Sequence, residues 1–192
     1  MTTSISRNQV NRENLVDFLI EMFNTAGQAE YLGEAISQSD HMLQCAVVAD
    51  QFDAPDHLIL ASLLHDVGHF MHDYDMDCAD HGIDSQHEDV AADFLKDFYP
   101  PSVTEPIRMH VDAKRYLCAV EDDYFDKLSE ASVHSLNLQG GIMNDEEVAK
   151  FSDNPHLEDA LNLRRFEEAG KSVGVDTPKI ETYRDLMQKF IV

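Results

Sequence analysis

Apolar residues recur along the chain at helical rather than strand spacing. Leu15, Phe18, Leu19, Met22 and Phe23 form one such stripe. Asp40 is placed to cap a helix running from His41 through VVADQF. Pro55 and Asp56 open the next helix, LILASLLHD, which Gly68 is expected to end. Residues 71–84 read as an acidic loop carrying Asp73, Asp75, Asp77 and Asp80. Val90, Ala91, Phe94, Leu95 and Phe98 mark an amphipathic helix stopped by Pro100 and Pro101. PIRMHVDAKRYL and HLEDALNLRRFEEAGK read as helices, and SVHSLNLQGG between them as a loop or broken helix. A last helix starts at Asp176-Thr177-Pro178 and buries Tyr183, Leu186, Met187 and Phe190. No segment alternates as a strand with hairpin turns, so the fold class is all-α. The expected organisation is a single helical domain over 1–192, with its core at roughly 31–171 and a C-terminal helix, 178–190, packed on it.

Composition narrows what such a bundle can do. Hydrophobic residues make up 43% of 192, enough for a sizeable core. There are 37 acidic residues against 14 basic, a formal net charge of −23. That balance argues against nucleic acid and against an anionic membrane surface, both of which need a basic footprint. A small anion remains possible only where metal ions or a few placed cations reverse the local field. Cys45, Cys78 and Cys118 give neither a disulfide framework nor a thiolate zinc site, and read as idle thiols in a reducing compartment. The polar start MTTSISRNQVNREN has no signal-peptide core, and no later run reaches membrane-spanning length. A soluble, cytoplasmic protein with no protein partner is the expectation.

The chemistry concentrates in LLHDVGH. His65 and Asp66 lie where an apolar helix terminates, and there both can reach one metal. His41 precedes them; His87 and His110 follow on other helices; a carboxylate comes later in RRFEE. A lone histidine in a chain with ten is more often structural, but this ordered set over successive helices is hard to obtain by chance. A mononuclear site would use about four of these ligands. The surplus histidines suggest a second metal, with Asp66 bridging the pair. Imidazole and carboxylate donors suit iron, manganese, zinc or nickel. Spacing adds polar neighbours on the same helix faces: His69 four after His65, Lys114 four after His110, and Glu167 three after Arg164. Lys114 and Arg164 could thus be solvated surface charges or a cationic clamp for phosphate-like oxygens.

This ordered set, together with YLGE, HVDAKRYL, SVHSLNLQGG and LRRFEEAGK, resembles the HD-domain mixed-valent diiron oxygenases, the group containing myo-inositol oxygenase. Within it the match runs to organophosphonate oxygenases of the PhnZ type, over roughly Tyr31 to Lys171. The resemblance implies two irons, Fe(II)/Fe(III), held by His41, His65, Asp66, His87, His110 and an acid after RRF, with O2 as co-substrate. It places His69, Lys114, Ser132, Gln139 and Arg164 around a phosphonate, and Tyr31 and Glu34 at a substrate amine. His65, Asp66, His69 and Lys114 are the catalytic candidates. The family usually has Asp where this chain has Glu167, which leaves Glu168 and Asp159 as competing ligands. The implied reaction is oxidative C–P cleavage of 2-amino-1-hydroxyethylphosphonate to glycine and phosphate. The alternatives are an HD-domain phosphohydrolase acting on a small phosphate ester, which would use the same ligands, and a metal-dependent binding module without turnover.

Overall fold

The structure is a computed structural model that describes residues 6–31, 34–71 and 81–192. Among these the chain forms nine α-helices and one small hairpin, an all-α architecture as expected. The helices are α1 (Leu15–Asn24), α2 (Gln38–Gln51), α3 (Asp56–Leu64), α4 (His87–Leu95), α5 (Pro101–Val120), α6 (Glu130–Leu138), α7 (Asp145–Ser152), α8 (Leu157–Ala169) and α9 (Arg184–Lys189). None of them is long and apolar enough to cross a membrane.

α3 is the central element. Leu58 through Leu64 are all buried, including Ser62, whose hydroxyl donates back to the Leu58 carbonyl at 2.8 Å. A helix apolar all round needs neighbours on every side; α2 and α5 pack against it, and α8 and α9 complete the shell. The larger core joins α1, α2, α3 and α4 to Val103 and Ile107 of α5 and to Leu163 and Phe166 of α8. A smaller core sets Met109, Ala113 and Leu117 of α5 against Phe151, Ala160 and Leu161. α5 and α8 therefore serve both cores, and these two helices also carry His110, Lys114, Arg164 and Glu167, all buried.

Several local expectations change. Ser37, not Asp40, caps α2, its hydroxyl accepting from Asp40 N at 3.0 Å, so the helix starts earlier and includes Asp40 in its first turn. α3 ends at Leu64, and Gly68 lies inside a 3-10 turn, Val67–Phe70. A Cβ at Gly68 would collide with the His87 carbonyl, so glycine lets this turn press against the start of α4. Pro101 opens α5 rather than merely stopping its predecessor, because a first-turn proline loses no helical hydrogen bond. SVHSLNLQGG is not broken: Ser129 caps α6 by accepting from Ser132 N, and Gly140 and Gly141, at φ 99° and 74°, end it. The last helix begins later, at Arg184, after a 3-10 turn Ile180–Tyr183. Glu30–Tyr31 and Glu34–Ser37 pair antiparallel, a short hairpin where no strand was expected, with Tyr31 and Glu34 opposite each other. Most of the acidic loop, 72–80, with Cys78, lies outside the described residues.

Candidate metal centre

Four buried imidazoles converge on Asp66 from four helix segments. His41 comes from α2, His65 from the end of α3, His87 from the first position of α4 and His110 from mid-α5. The carboxylate divides between them. Its Oδ2 lies 3.4 Å from His65 Nε2 and 3.8 Å from His41 Nε2. Its Oδ1 lies 3.2 Å from His87 Nε2, 3.6 Å from His110 Nε2 and 4.0 Å from His69 Nε2. His87 and His110 bring their Nε2 atoms to 3.0 Å from each other.

Three of these rings are aimed by backbone. His41 Nδ1 lies 2.9 Å from the Gly170 carbonyl, His65 Nδ1 2.9 Å from that of Ser62, and His110 Nδ1 2.7 Å from that of Ile107. Each carbonyl can only accept, so each Nδ1 carries the hydrogen and each Nε2 turns a lone pair inward. Burial foremost pushes His41 down to about 4 and His110 to about 3, so both rings are neutral and able to ligate. Burial would lower His87 too, but the Asp66 and Glu88 carboxylates lift it to about 9. Burial would raise Asp66, and the surrounding imidazoles, His65 first, hold it well below the usual carboxylate range.

These donors fit a metal centre. Ligands about 2.0–2.2 Å from one first-row ion stand about 3 Å apart when adjacent. The Asp66 Oδ1, His87 and His110 atoms already span 3.0 to 3.6 Å. Among the described residues His65 Nε2 and Glu167 Oε2 are buried without a hydrogen-bond partner, a costly state that a bound cation relieves. Two groups of potential donors cluster closely enough for an ion among the described residues: Asp66 with His87 and His110, and His41 with His65 and Cys45.

Of the three competing acids, Glu167 is buried, whereas Asp159 is 30% exposed and bonds His57 at 3.1 Å. Glu168 pairs with Arg164, and with Lys171 at 3.7 Å. Burial would raise the Glu167 carboxyl, but the Arg164 guanidinium, then His110 and His65, hold it far below its ordinary value.

A pocket opens on the Asp66 Oδ1 side. The cavity itself is small, about 60 Å³. His69, Lys114, Ser132, Gln139, Arg164 and Glu167 all line it. His69 stacks on His87, with ring centres 4.0 Å apart. Lys114 Nζ donates to Ser135 Oγ at 2.8 Å and to Gln139 Oε1 at 2.5 Å. Burial, then the nearby Arg164, lowers Lys114 to about 7. Arg164 donates through Nε to Tyr124 Oη at 3.1 Å and is paired with Glu167 and Glu168. The side chains of Tyr31 and Glu34 lie outside the described part of the structure.

Two neighbours escape the sequence reading. Lys171 lines the pocket and donates to Ser132 Oγ at 2.9 Å, a third cation beside Lys114 and Arg164. Cys45 packs its sulfur 3.7 Å from His41 Nε2. Spacing holds the signal for both, since each lies four residues after a candidate ligand, Glu167 and His41.

Fold and site define the class, an all-α protein built around a buried His/Asp metal-binding cluster. No family model matches the chain. It is 43% identical over 183 residues to a [1-hydroxy-2-(trimethylamino)ethyl]phosphonate dioxygenase (glycine-betaine-forming) of Leisingera caerulea, covering 95% of this chain and 93% of that one. It is 44% identical over 170 residues to a hydroxymethylphosphonate dioxygenase of Gimesia maris, covering 88% and 84%. An uncharacterised protein, L432, of Acanthamoeba polyphaga mimivirus is 31% identical over 179 residues, covering 92% and 81%. The chain belongs to the PhnZ-like phosphonate dioxygenase family and is an oxygenase enzyme.

Proposed function

We propose that this chain is a two-iron oxygenase that cleaves the C–P bond of 2-amino-1-hydroxyethylphosphonate with O2, giving glycine and phosphate. The observation that carries the reading is the division of Asp66: each oxygen faces its own imidazole pair, at the floor of a pocket lined by cations. Two histidines and one carboxylate with open positions form the donor set of non-haem Fe(II) oxygenases. Here that set occurs twice with a shared carboxylate. His41, His65 and Glu167 would hold one ion with Asp66; His87 and His110 would hold the other. Iron so held supplies O2 activation, the chemistry no side chain here can provide.

The chain's own residues then bind and orient. Lys114, Arg164 and Lys171 meet the phosphonate, with Ser132 and Gln139 supplying neutral polar contacts and His69 beside them. An otherwise acidic protein thereby gathers three cations where an anion would dock. A buried Lys114 whose hydrogen-bond partners are neutral oxygens is completed by such an anion. The substrates named for two relatives share with this one a 1-hydroxyphosphonate unit. The amine end is the variable part, and we assign it to Tyr31 and Glu34. The free, buried Cys45 fits work in a reducing cytoplasm.

The test is phosphate release from the three compounds, the aminated, trimethylaminated and hydroxymethyl phosphonates, in air and in an anaerobic chamber. The expected result is fastest turnover on the aminated compound, no turnover without O2, and 18-oxygen from O2 in the carboxylate of glycine. Undiminished anaerobic release would replace the oxygenase reading with a hydrolase.

A further inference from the structure

His87 differs from its three counterparts in what holds it. His65 and His110 lean their Nδ1 atoms on the carbonyl three residues back in the same helical segment, and His41 uses the Gly170 carbonyl. His87 cannot copy the first arrangement. It is the first residue of α4, so the residue three back lies outside the helix, and Gln86 before it has turned to φ 49°. Its Nδ1 instead lies 3.4 Å from Glu88 Oε2. Among the described residues that oxygen is buried and has no hydrogen-bond partner, and the Glu88 side chain is only 12% exposed. The adjacent acid behaves otherwise: Asp89 is 51% exposed and pairs with Arg108 at 2.6 Å. An acid serving only the helix dipole would sit as Asp89 does.

We propose that Glu88 is a positioning residue for His87. Its negative charge, 3.4 Å behind Nδ1, favours the hydrogen on that nitrogen, fixes the tautomer that turns Nε2 toward Asp66 Oδ1, and makes His87 a stronger donor than the three rings backed by carbonyls. A carboxylate behind a ligating imidazole raises its basicity and tightens its metal. The two metal positions are thereby unequal: the one formed by His87 and His110 gains a negative charge just behind its ligands. The proposal rests on the two-metal reading above.

The test is a titration of metal-free protein with Co(II), followed by its visible ligand-field bands. Wild type should show two binding events. Glu88→Ala should weaken one of them about 10–100-fold and shift its bands, leaving the other event and the metal-free Tm unchanged. Glu88→Gln keeps an acceptor but loses the charge, so it should recover part of that affinity. Asp89→Asn should match wild type. Two events of unchanged affinity and spectrum in Glu88→Ala would overturn the proposal while leaving the two-metal reading intact. A metal-free Tm that falls with no selective change in either event would reduce Glu88 to a structural role. Fewer than two Co(II) in wild type would remove the two-metal reading, and this proposal with it.

Discussion

The Gly170 carbonyl accepts from His41 Nδ1 at 2.9 Å, which ties the end of α8 to the first ligand candidate on α2. A Cβ at Gly170 would meet Cys45 Sγ at 2.6 Å and Cys45 N at 3.0 Å. Glycine therefore sets how closely the two helices approach. The next residue, Lys171, reaches the pocket, so one short segment orients a candidate ligand and delivers a cation. Gly170→Ala should force the helices apart and swing His41. Overpacking of this kind costs about 1–3 kcal/mol, or roughly 2–12 °C in Tm for a chain of this size. Calorimetry and metal analysis would check both effects, and an unchanged Tm with full metal content would refute the argument.

Asp66 is the single group shared by both imidazole pairs. Its loss should empty both positions, whereas loss of His41 should spare the ion at His87 and His110. The expected iron content is two per chain in wild type, near zero in Asp66→Ala and about one in His41→Ala. One tightly bound zinc per chain with full activity would sink the two-iron assignment.

Glu167 and Glu168 differ in burial though adjacent, and both pair with Arg164. Each keeps one buried oxygen, Glu167 Oε2 and Glu168 Oε1, but it is the Glu167 carboxyl, the more deeply buried of the two, that feels the imidazoles of His110 and His65. Glu167→Ala should lower iron content by about one ion, and Glu168→Ala should leave it unchanged. The opposite pattern would move the ligand to Glu168. Residue order alone left Asp159, Glu167 and Glu168 open; burial along α8 sets Glu167 apart from Asp159, which is part-exposed and bonded to His57.

How far the sequence could be read follows from what each feature depends on. His41, His65, Asp66, His87 and His110 stand out by residue type and order, because few side chains can hold a metal, and the structure gathers them around one carboxylate. The long helices were legible from period alone. α6 was not, because the Ser, Asn and Gly content of SVHSLNLQGG resembles a loop while the helix's cap, Ser129, lies before the motif. The Glu30–Ser37 hairpin is too short to show alternation. The division of Asp66 between two pairs is a matter of tertiary angle, which spacing along the chain does not encode.

The last expectation separates the shared end of the substrate from the variable one. Lys114 and Lys171 flank Ser132 and Gln139 in the pocket and are assigned to the phosphonate, which all three candidate substrates carry. A charge-assisted hydrogen bond contributes about 1.5–3 kcal/mol net, so Lys114→Met or Lys171→Met should cost roughly one to two decades in kcat/KM. The cost should be alike for the aminated, trimethylaminated and hydroxymethyl compounds, because the lost contact is common to them. Glu34 is assigned to the amine, across the hairpin from Tyr31. Glu34→Ala should therefore cost a similar factor on the aminated compound and little on hydroxymethylphosphonate, which has no amine to lose. Steady-state kinetics of the three variants on the three compounds decides it. A Glu34→Ala penalty equal on all compounds would mean that residue shapes the site rather than choosing the substrate. A lysine penalty confined to one compound would mean the phosphonate docks elsewhere in the pocket.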